Sequence, residues 1–161
     1  MADLVLAYGS LAARGAPRAV LRDARRWWGV AMDNAVDLPG YKAWLAPDGS
    51  RPALHVAFLD LEAAPGERLE GALVAAADLP ALDRRERNYR RVDVTDRVAG
   101  APARARVWTY VGLPEARDRL TRARAGGTAV VAEPYLRAVE AAFGPVAVDL
   151  PVRRLRRVEL P

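Results

Sequence analysis

The stretch VLAYGSLA, residues 5–12, predicts a buried strand that ends in small residues. Its apolar run stops at Gly9 and Ser10, which have almost no apolar side chain to bury, and Tyr8 stands directly before them. Small side chains at the end of a strand allow another group to approach the backbone closely. The pattern leaves two interpretations: an ordinary strand-to-loop turn with Tyr8 in the core, or a turn whose backbone contacts a ligand.

The length and composition predict a globular protein with one domain over residues 1–161. The chain is 52% hydrophobic, which is enough to form a core at this size. No apolar run approaches the roughly 18 residues that a membrane-spanning helix requires. Asp3 stands where a signal peptide would carry a basic residue. We therefore expect a cytoplasmic protein that is not associated with a membrane.

The formal net charge of +5 and the sequence RRLRR at 153–157 raise the question of a nucleic-acid partner. The arginines, however, are spread along an alanine-rich chain, and Lys42 is the only lysine. This distribution is typical of a GC-rich coding bias and not of a basic patch, so we expect no nucleic-acid partner. A modest positive charge would still attract small anionic substrates.

The absence of cysteine and the presence of only one histidine exclude several kinds of site. The chain has no cysteine, which excludes a thiolate nucleophile, a disulfide and a zinc–thiolate centre. Its single histidine, His55, excludes a metal cluster built from several histidines. His55 falls within a predicted strand, where we expect a structural role. Acid–base chemistry therefore falls mainly to carboxylates.

The order of apolar patterns and turn signals predicts an α+β fold. Strands outnumber helices and many are joined by short turns, which favours a small mixed, mostly antiparallel β-barrel with flanking helices. The tail at 152–160 is a candidate for a last edge strand. Strands are predicted at 4–8, 29–36, 41–46, 53–62, 67–77, 88–95 and 105–112, and helices at 17–28, 79–87, 114–125 and 134–143.

One carboxylate lies on an apolar stripe. In the predicted helix 79–87, Leu79, Leu82 and Glu86 share one face, so the side chain of Glu86 is carried toward the core. Loss of water there would raise the pKa of the carboxyl group and suit it to exchange protons near neutral pH. The surrounding sequence RRER supports the opposite interpretation, in which arginines pair with the carboxylate and lower its pKa.

Several stretches taken together resemble the γ-glutamylcyclotransferase family. They are YGSL at 8–11, the Glu-Gly pair at 70–71, LDRRERNYRRVDV at 82–94 and VWTYVG at 107–112. The order and spacing of these pieces, from residue 4 to about residue 112, are more specific than any one piece. The resemblance implies a small β-barrel with a pocket at its mouth.

The resemblance also implies site residues. Glu86 matches the family's catalytic glutamate, and the YGSL loop matches the segment that binds the γ-glutamyl part of the substrate, largely through main-chain groups. A glycine-containing turn forms a concave set of N–H groups that suits a carboxylate or an oxyanion. The implied substrate-binding residues are Tyr8, Gly9, Ser10 and Leu11, with Tyr110 near the substrate.

The implied activity is an intramolecular cyclisation of a small γ-glutamyl amine or dipeptide. The products are 5-oxoproline and a free amine or amino acid, and the reaction requires no metal, other cofactor or covalent nucleophile. We expect a monomer or a homodimer. The alternative is a non-catalytic module that binds a small metabolite in the same pocket, because a fold does not determine chemistry.

The sequence departs from the family at two places. Arg87 follows Glu86 where many members have glycine, and this cation would narrow the pocket or select an anionic leaving group. Ala12 and Ala13 follow the YGSL loop where the glutathione-specific branch has an aromatic residue, so glutathione is not the expected substrate.

Four polar residues are weaker candidates. Tyr89 either hydrogen-bonds to Glu86 or packs, and Tyr135 is expected to be structural. Asn34 and Arg14 are candidates for contacts with polar groups of a substrate.

Overall fold

The computed structural model describes residues 1–12 and 15–161, so the candidate residue Arg14 and the position Ala13 lie outside the described residues. No helix in these ranges is long and apolar enough to cross a membrane. The elements, in chain order, are β1 (Ala2–Ala7), β2 (Arg18–Asp33), β3 (Lys42–Leu45), β4 (His55–Ala75), α1 (Leu79–Arg85), β5 (Tyr89–Asp93), a 3-10 turn (Thr95–Arg97), β6 (Val98–Ala99), β7 (Ala105–Gly112), α2 (Pro114–Gly126), β8 (Ala129–Ala132), α3 (Glu133–Phe143), β9 (Val152–Arg153) and β10 (Arg156–Glu159).

Two long antiparallel strands, β2 and β4, form the centre of the main sheet. Their pairing is interrupted by two register shifts, one at Asp23 and one at Gly29. At the first shift Asp23 has a φ of 59°, and its side chain accepts a hydrogen bond of 2.8 Å from the Gly66 N–H. Bulges of this kind bend the strand and increase its twist. The long ribbon therefore curls.

The remaining strands extend this ribbon into a mixed sheet of order β5-β7-β1-β4-β2-β6. β1 pairs antiparallel with β4 and parallel with β7, β8 pairs parallel with β4 and β9, and β3 and β10 form a separate antiparallel pair. The predicted α+β class with a mixed, mostly antiparallel sheet is thus confirmed.

The described strands do not form the closed barrel that was predicted. Closure requires the two outer strands to exchange hydrogen bonds. Within the described ranges, β5 pairs only with β7, and the two-residue β6 pairs only with β2. The sheet is therefore a curled, open half-barrel with three helices packed around it.

The predicted helix over 17–28 is wrong, because these residues belong to β2. Leu21, Ala24 and Trp28 are buried, and their spacing is also compatible with one face of a helix. Their spacing arises because Asp23, with its φ of 59°, interrupts the alternation of β2 at the first register shift. A bulged strand in this region thus has the apolar pattern of a helix.

Other boundaries differ less. The strands predicted at 53–62 and 67–77 are one strand, β4, which continues through Pro65 and through Gly66 at a φ of +81°. The two later helices and the strand at 105–112 are confirmed. The short buried strand β8 was not predicted, because four consecutive apolar residues carry no periodicity.

Two candidate residues hold the fold together. Asn34 is fully buried, donates hydrogen bonds of 2.9 Å to the carbonyls of Trp44 and Pro52, and accepts one of 2.8 Å from the Trp44 N–H. These bonds attach the turn after β2 to β3. His55 has its Nδ1 2.9 Å from the hydroxyl of Thr128. Both side chains are engaged with the protein itself.

A buried carboxylate joins the sheet to α2. Asp60 is fully buried; its Oδ1 accepts hydrogen bonds from the N–H groups of Leu61 (2.7 Å) and Gly112 (2.8 Å). Its Oδ2 pairs with the Arg117 guanidinium at 2.8 Å. A Cβ on Gly29 would lie 2.7 Å from the Asp60 Cβ, and one on Gly112 would lie 2.5 Å from Oδ2. The two glycines therefore make room for the carboxylate.

We expect Asp60→Ala to lower the free energy of unfolding by about 3–5 kcal/mol, because it leaves the Arg117 charge and two N–H groups without their partner. Urea denaturation followed by circular dichroism measures the change. Asp149→Ala is the control, since it removes an exposed ion pair with Arg124 and should change the stability by about 0–1 kcal/mol. Equal effects of the two substitutions would contradict the prediction.

Candidate active site

A cavity of about 620 Å³ opens where β1 ends, between that strand end, the turn after α1 and the β3–β10 pair. All of the chain's tyrosines line it, as does its only lysine. Tyrosine combines an apolar ring with a polar tip, and pockets for small molecules are commonly lined in this way. The residues in question are Tyr8, Tyr41, Lys42, Tyr89, Tyr110 and Tyr135.

The structure brings together at this cavity six of the residues that the sequence indicated for the site, whereas the candidate Asn34 lies outside it, bonded to the backbone of Trp44 and Pro52. The loop residues come from the end of β1, Tyr110 from β7, and Glu86 from the turn after α1. These elements meet because β1 pairs with β7, and β7 pairs with the strand that follows Glu86. The residues are Tyr8, Gly9, Ser10, Leu11, Glu86 and Tyr110.

The loop after β1 is held by tyrosines. The buried Tyr8 donates a hydrogen bond of 2.7 Å to the carbonyl of Tyr110, which attaches the loop to β7. Gly9 faces the Tyr135 hydroxyl, and a Cβ at Gly9 would lie 3.0 Å from that oxygen. Ser10 is exposed at the cavity edge. The missing side chain at Gly9 thus lets a phenol approach the backbone.

Glu86 takes its position from the end of α1. Asp78 caps the start of this helix by accepting a 2.9 Å hydrogen bond from the Ala81 N–H. The helix ends at Arg85, two residues earlier than predicted, and Glu86 has a non-helical φ of −87° and ψ of 57°. The Glu86 N–H still donates to the Leu82 carbonyl at 2.9 Å. Its side chain lines the cavity.

The Glu86 carboxylate has no partner among the described residues, either by hydrogen bond or by ion pair within 4.0 Å. Burial raises its pKa, and the nearby cations Lys42, Arg85 and Arg157 oppose that effect without reversing it. Of the two interpretations of RRER, burial therefore prevails over pairing with arginine. Glu86 is a carboxyl group suited to accept and return a proton.

The phenol of Tyr110 is held by another carboxylate. Its hydroxyl donates a 2.8 Å hydrogen bond to Asp83, which also pairs with Arg91 at 3.0 Å. Tyr89 donates to the Leu59 carbonyl at 2.7 Å, so it does not bind Glu86. Burial raises the pKa of both phenols, which keeps them protonated at neutral pH.

Tyr135, which the sequence assigned to structure, also faces the cavity. Its hydroxyl accepts a 3.1 Å hydrogen bond from the Leu59 N–H. Its own proton has no acceptor among the described residues, and burial raises its pKa, so the hydroxyl is an available donor. It stands beside Gly9, which also lines the cavity.

Sequence reasoning also did not identify the wall of the cavity that β3 and β10 form. Lys42 lies opposite Glu159 in this pair, and Arg157 lies opposite Trp44. Tyr41 completes this side of the cavity, and burial raises its pKa to about 12. These residues are more than 110 positions apart in the sequence, so no local pattern indicates their contact. The only available signal was Lys42 itself, as the single lysine of the chain.

We expect Glu86→Gln to raise the melting temperature at pH 7 by a few degrees and to have less effect near pH 4. The raised pKa means that the folded state binds the proton of Glu86 more tightly than the unfolded chain does. The wild type therefore loses stability as the pH rises through the Glu86 pKa, whereas the variant does not. Melting curves by circular dichroism test this, with the exposed Glu67→Gln as control. A difference that grows toward acid pH would contradict it.

Comparison with known proteins finds similarity among solved structures. No family model matches the chain, and no curated protein matches it. A solved structure described as "Gamma-glutamyl cyclotransferase" is similar to this one with a TM-score of 0.42 and 16% sequence identity, over 92% of this chain and 90% of that chain. At this identity and score the likeness transfers no residue role to this chain.

Proposed function

We propose that this protein is an enzyme that cyclises a small γ-glutamyl amine or dipeptide to 5-oxoproline and releases a free amine or amino acid. The observation that carries the proposal is the Glu86 carboxylate, which lines the cavity at the end of β1, has no partner within residues 1–12 and 15–161, and has a raised pKa. A single group of this kind is what a reaction with two successive proton transfers needs.

The reaction begins with the α-ammonium group of the substrate. Glu86 accepts a proton from it, and the resulting amine attacks the γ-carbonyl carbon of the same molecule. A new C–N bond closes the five-membered ring, and the carbonyl oxygen becomes an oxyanion. Glu86 then gives this proton to the leaving nitrogen, the carbonyl re-forms, and the original amide C–N bond breaks. The ring nitrogen still carries a second proton from the former ammonium group, and Glu86 accepts this proton and passes it to the released amine, which leaves as an ammonium ion. Atoms and charge balance without any co-reactant.

The cavity supplies the other requirements of this chemistry. Attack within one molecule is favoured by proximity, provided that the substrate is held folded. The backbone N–H groups of the loop at Gly9 and Ser10, together with the hydroxyl of Tyr135, are the donors for the oxyanion. Donors that are already in place stabilise charge at its formation without first having to reorganise.

Glu86→Gln should reduce turnover by about 10²–10⁴-fold, which is the usual contribution of a general acid–base group. The assay measures 5-oxoproline released from a panel of γ-glutamyl amines and dipeptides by chromatography. Glu67→Gln, an exposed carboxylate outside the cavity, should retain the wild-type rate.

Full activity of Glu86→Gln would exclude Glu86 as the acid–base group. No 5-oxoproline from any compound of the panel would overturn the enzymatic proposal. The alternative, a module that binds a small metabolite without chemistry, then requires wild type and Glu86→Gln to bind the same compounds without turnover.

The pH profile of kcat/KM should have an acidic limb set by Glu86. Glu86 must be ionised to accept the first proton, so activity falls as the pH drops through its pKa. Because burial raises that pKa, the fall should begin at a pH above the ordinary glutamate value of about 4.3. Rates measured across the acid range test this. A profile that stays flat down to that value would contradict it.

A further inference from the structure

Lys42 has an ammonium group that the protein leaves without an acceptor. The side chain is partly buried on β3, with Nζ 4.3 Å from the ring centre of Phe58 and 5.2 Å from that of Tyr41. The rings face the cation favourably but take none of its three N–H donors. No described residue accepts a hydrogen bond from Nζ or pairs with it within 4.0 Å. These donors are available to whatever occupies the cavity.

The charges around the cavity favour an anionic occupant. Five cationic side chains line it against two carboxylates, those of Glu86 and Glu159. Arg157 already pairs with Glu159 at 2.6 Å. Lys42 and Glu86 lie close enough to affect each other's pKa yet form no direct ion pair. A cation and a carboxylate held apart in this way complement a ligand that carries both charges.

The use of lysine at this one position is informative. Every other Lys or Arg position of the chain is arginine, as expected where either cation is tolerated and coding bias decides. The ammonium of lysine is a compact charge that can titrate, whereas the guanidinium of arginine is a larger planar group that stays charged. Lysine at this position thus places a compact charge that can titrate beside two rings in the cavity.

We propose that Lys42 is the carboxylate-binding residue of the cavity. Its ammonium binds the α-carboxylate of the ligand while Glu86 faces the α-ammonium, so that the two side chains together recognise the zwitterionic end of an α-amino acid. This inference deepens the proposed function and rests on it for the γ-glutamyl identity of the substrate. The binding of a carboxylate at Lys42 can be measured without turnover.

Binding at Lys42 should depend on pH. The charged groups that face it are Arg157 and Glu159 on β10 and Arg85 and Glu86 at the end of α1. Burial, with help from Arg157, lowers the pKa of Lys42 to about 8. As the pH rises through this value the ammonium becomes a neutral amine, which no longer attracts a carboxylate. Affinity should therefore fall between pH 7 and pH 9.

The experiment compares two ligands that differ in one group, 5-oxoproline and its uncharged carboxamide, by isothermal titration calorimetry. Lys42→Met should weaken the binding of 5-oxoproline by about 10-fold or more and leave that of the carboxamide unchanged. Arg154→Met, which removes the same charge from an exposed position outside the cavity, should behave as wild type. Lys42→Arg should bind at pH 7 and, unlike wild type, retain its affinity at pH 9.

The proposal is overturned if Lys42→Met binds 5-oxoproline as tightly as wild type, if the carboxylate and the carboxamide bind wild type equally, or if 5-oxoproline does not bind at millimolar concentration. Should Lys42→Met not fold, as judged by its melting curve, the comparison of wild type and Lys42→Arg at pH 9 decides. Lys42-dependent binding without release of 5-oxoproline from the substrate panel would keep the carboxylate site and overturn the cyclisation.

Discussion

The buried carboxylate of Asp60 is the interaction on which the rest of this structure depends. A charge removed from water costs several kcal/mol unless it is paired and fully hydrogen-bonded. Asp60 meets that condition through donors from β4 itself, from the end of β7 and from α2. Two glycines provide the space, one of them at the second bulge of β2. The result is that β7 ends at a defined point beside β4.

This attachment places the walls of the cavity. Leu59, next to Asp60, accepts a hydrogen bond from Tyr89 and donates one to Tyr135. Tyr8 is in turn bonded to the backbone of β7 at Tyr110. Three of the phenols, those of Tyr8, Tyr89 and Tyr135, are therefore positioned by main-chain groups of the sheet. Glu86 and Lys42 are different, because the part of the chain that the structure describes provides no direct partner for either charge.

The errors of sequence reasoning have identifiable physical causes. The residues predicted as a helix over 17–28 belong to a strand whose alternation is interrupted at Asp23, so the spacing of its buried residues does not distinguish a strand from a helix. The closure of the sheet into a barrel was predicted wrongly, because a pattern of strands does not show whether the two outer strands, β5 and β6, pair with each other. Among the site residues, Tyr135 was assigned to structure because its helix, α3, gives no indication that its hydroxyl reaches the loop after β1.

The sequence by itself determined features that depend on neighbours along the chain: the strand that ends just before Gly9, the start of α1 at Leu79, and the position of Glu86 near the end of that helix. Only the tertiary structure decided which side chains share the cavity with Glu86. Lys42 and Arg157 reach it through the pairing of β3 with β10, and the raised pKa of Glu86 depends on how deeply these elements bury it. Local patterns indicate the conformation of a segment. The burial of a side chain and the charges around it depend instead on residues that are far apart in the sequence and that the fold brings together.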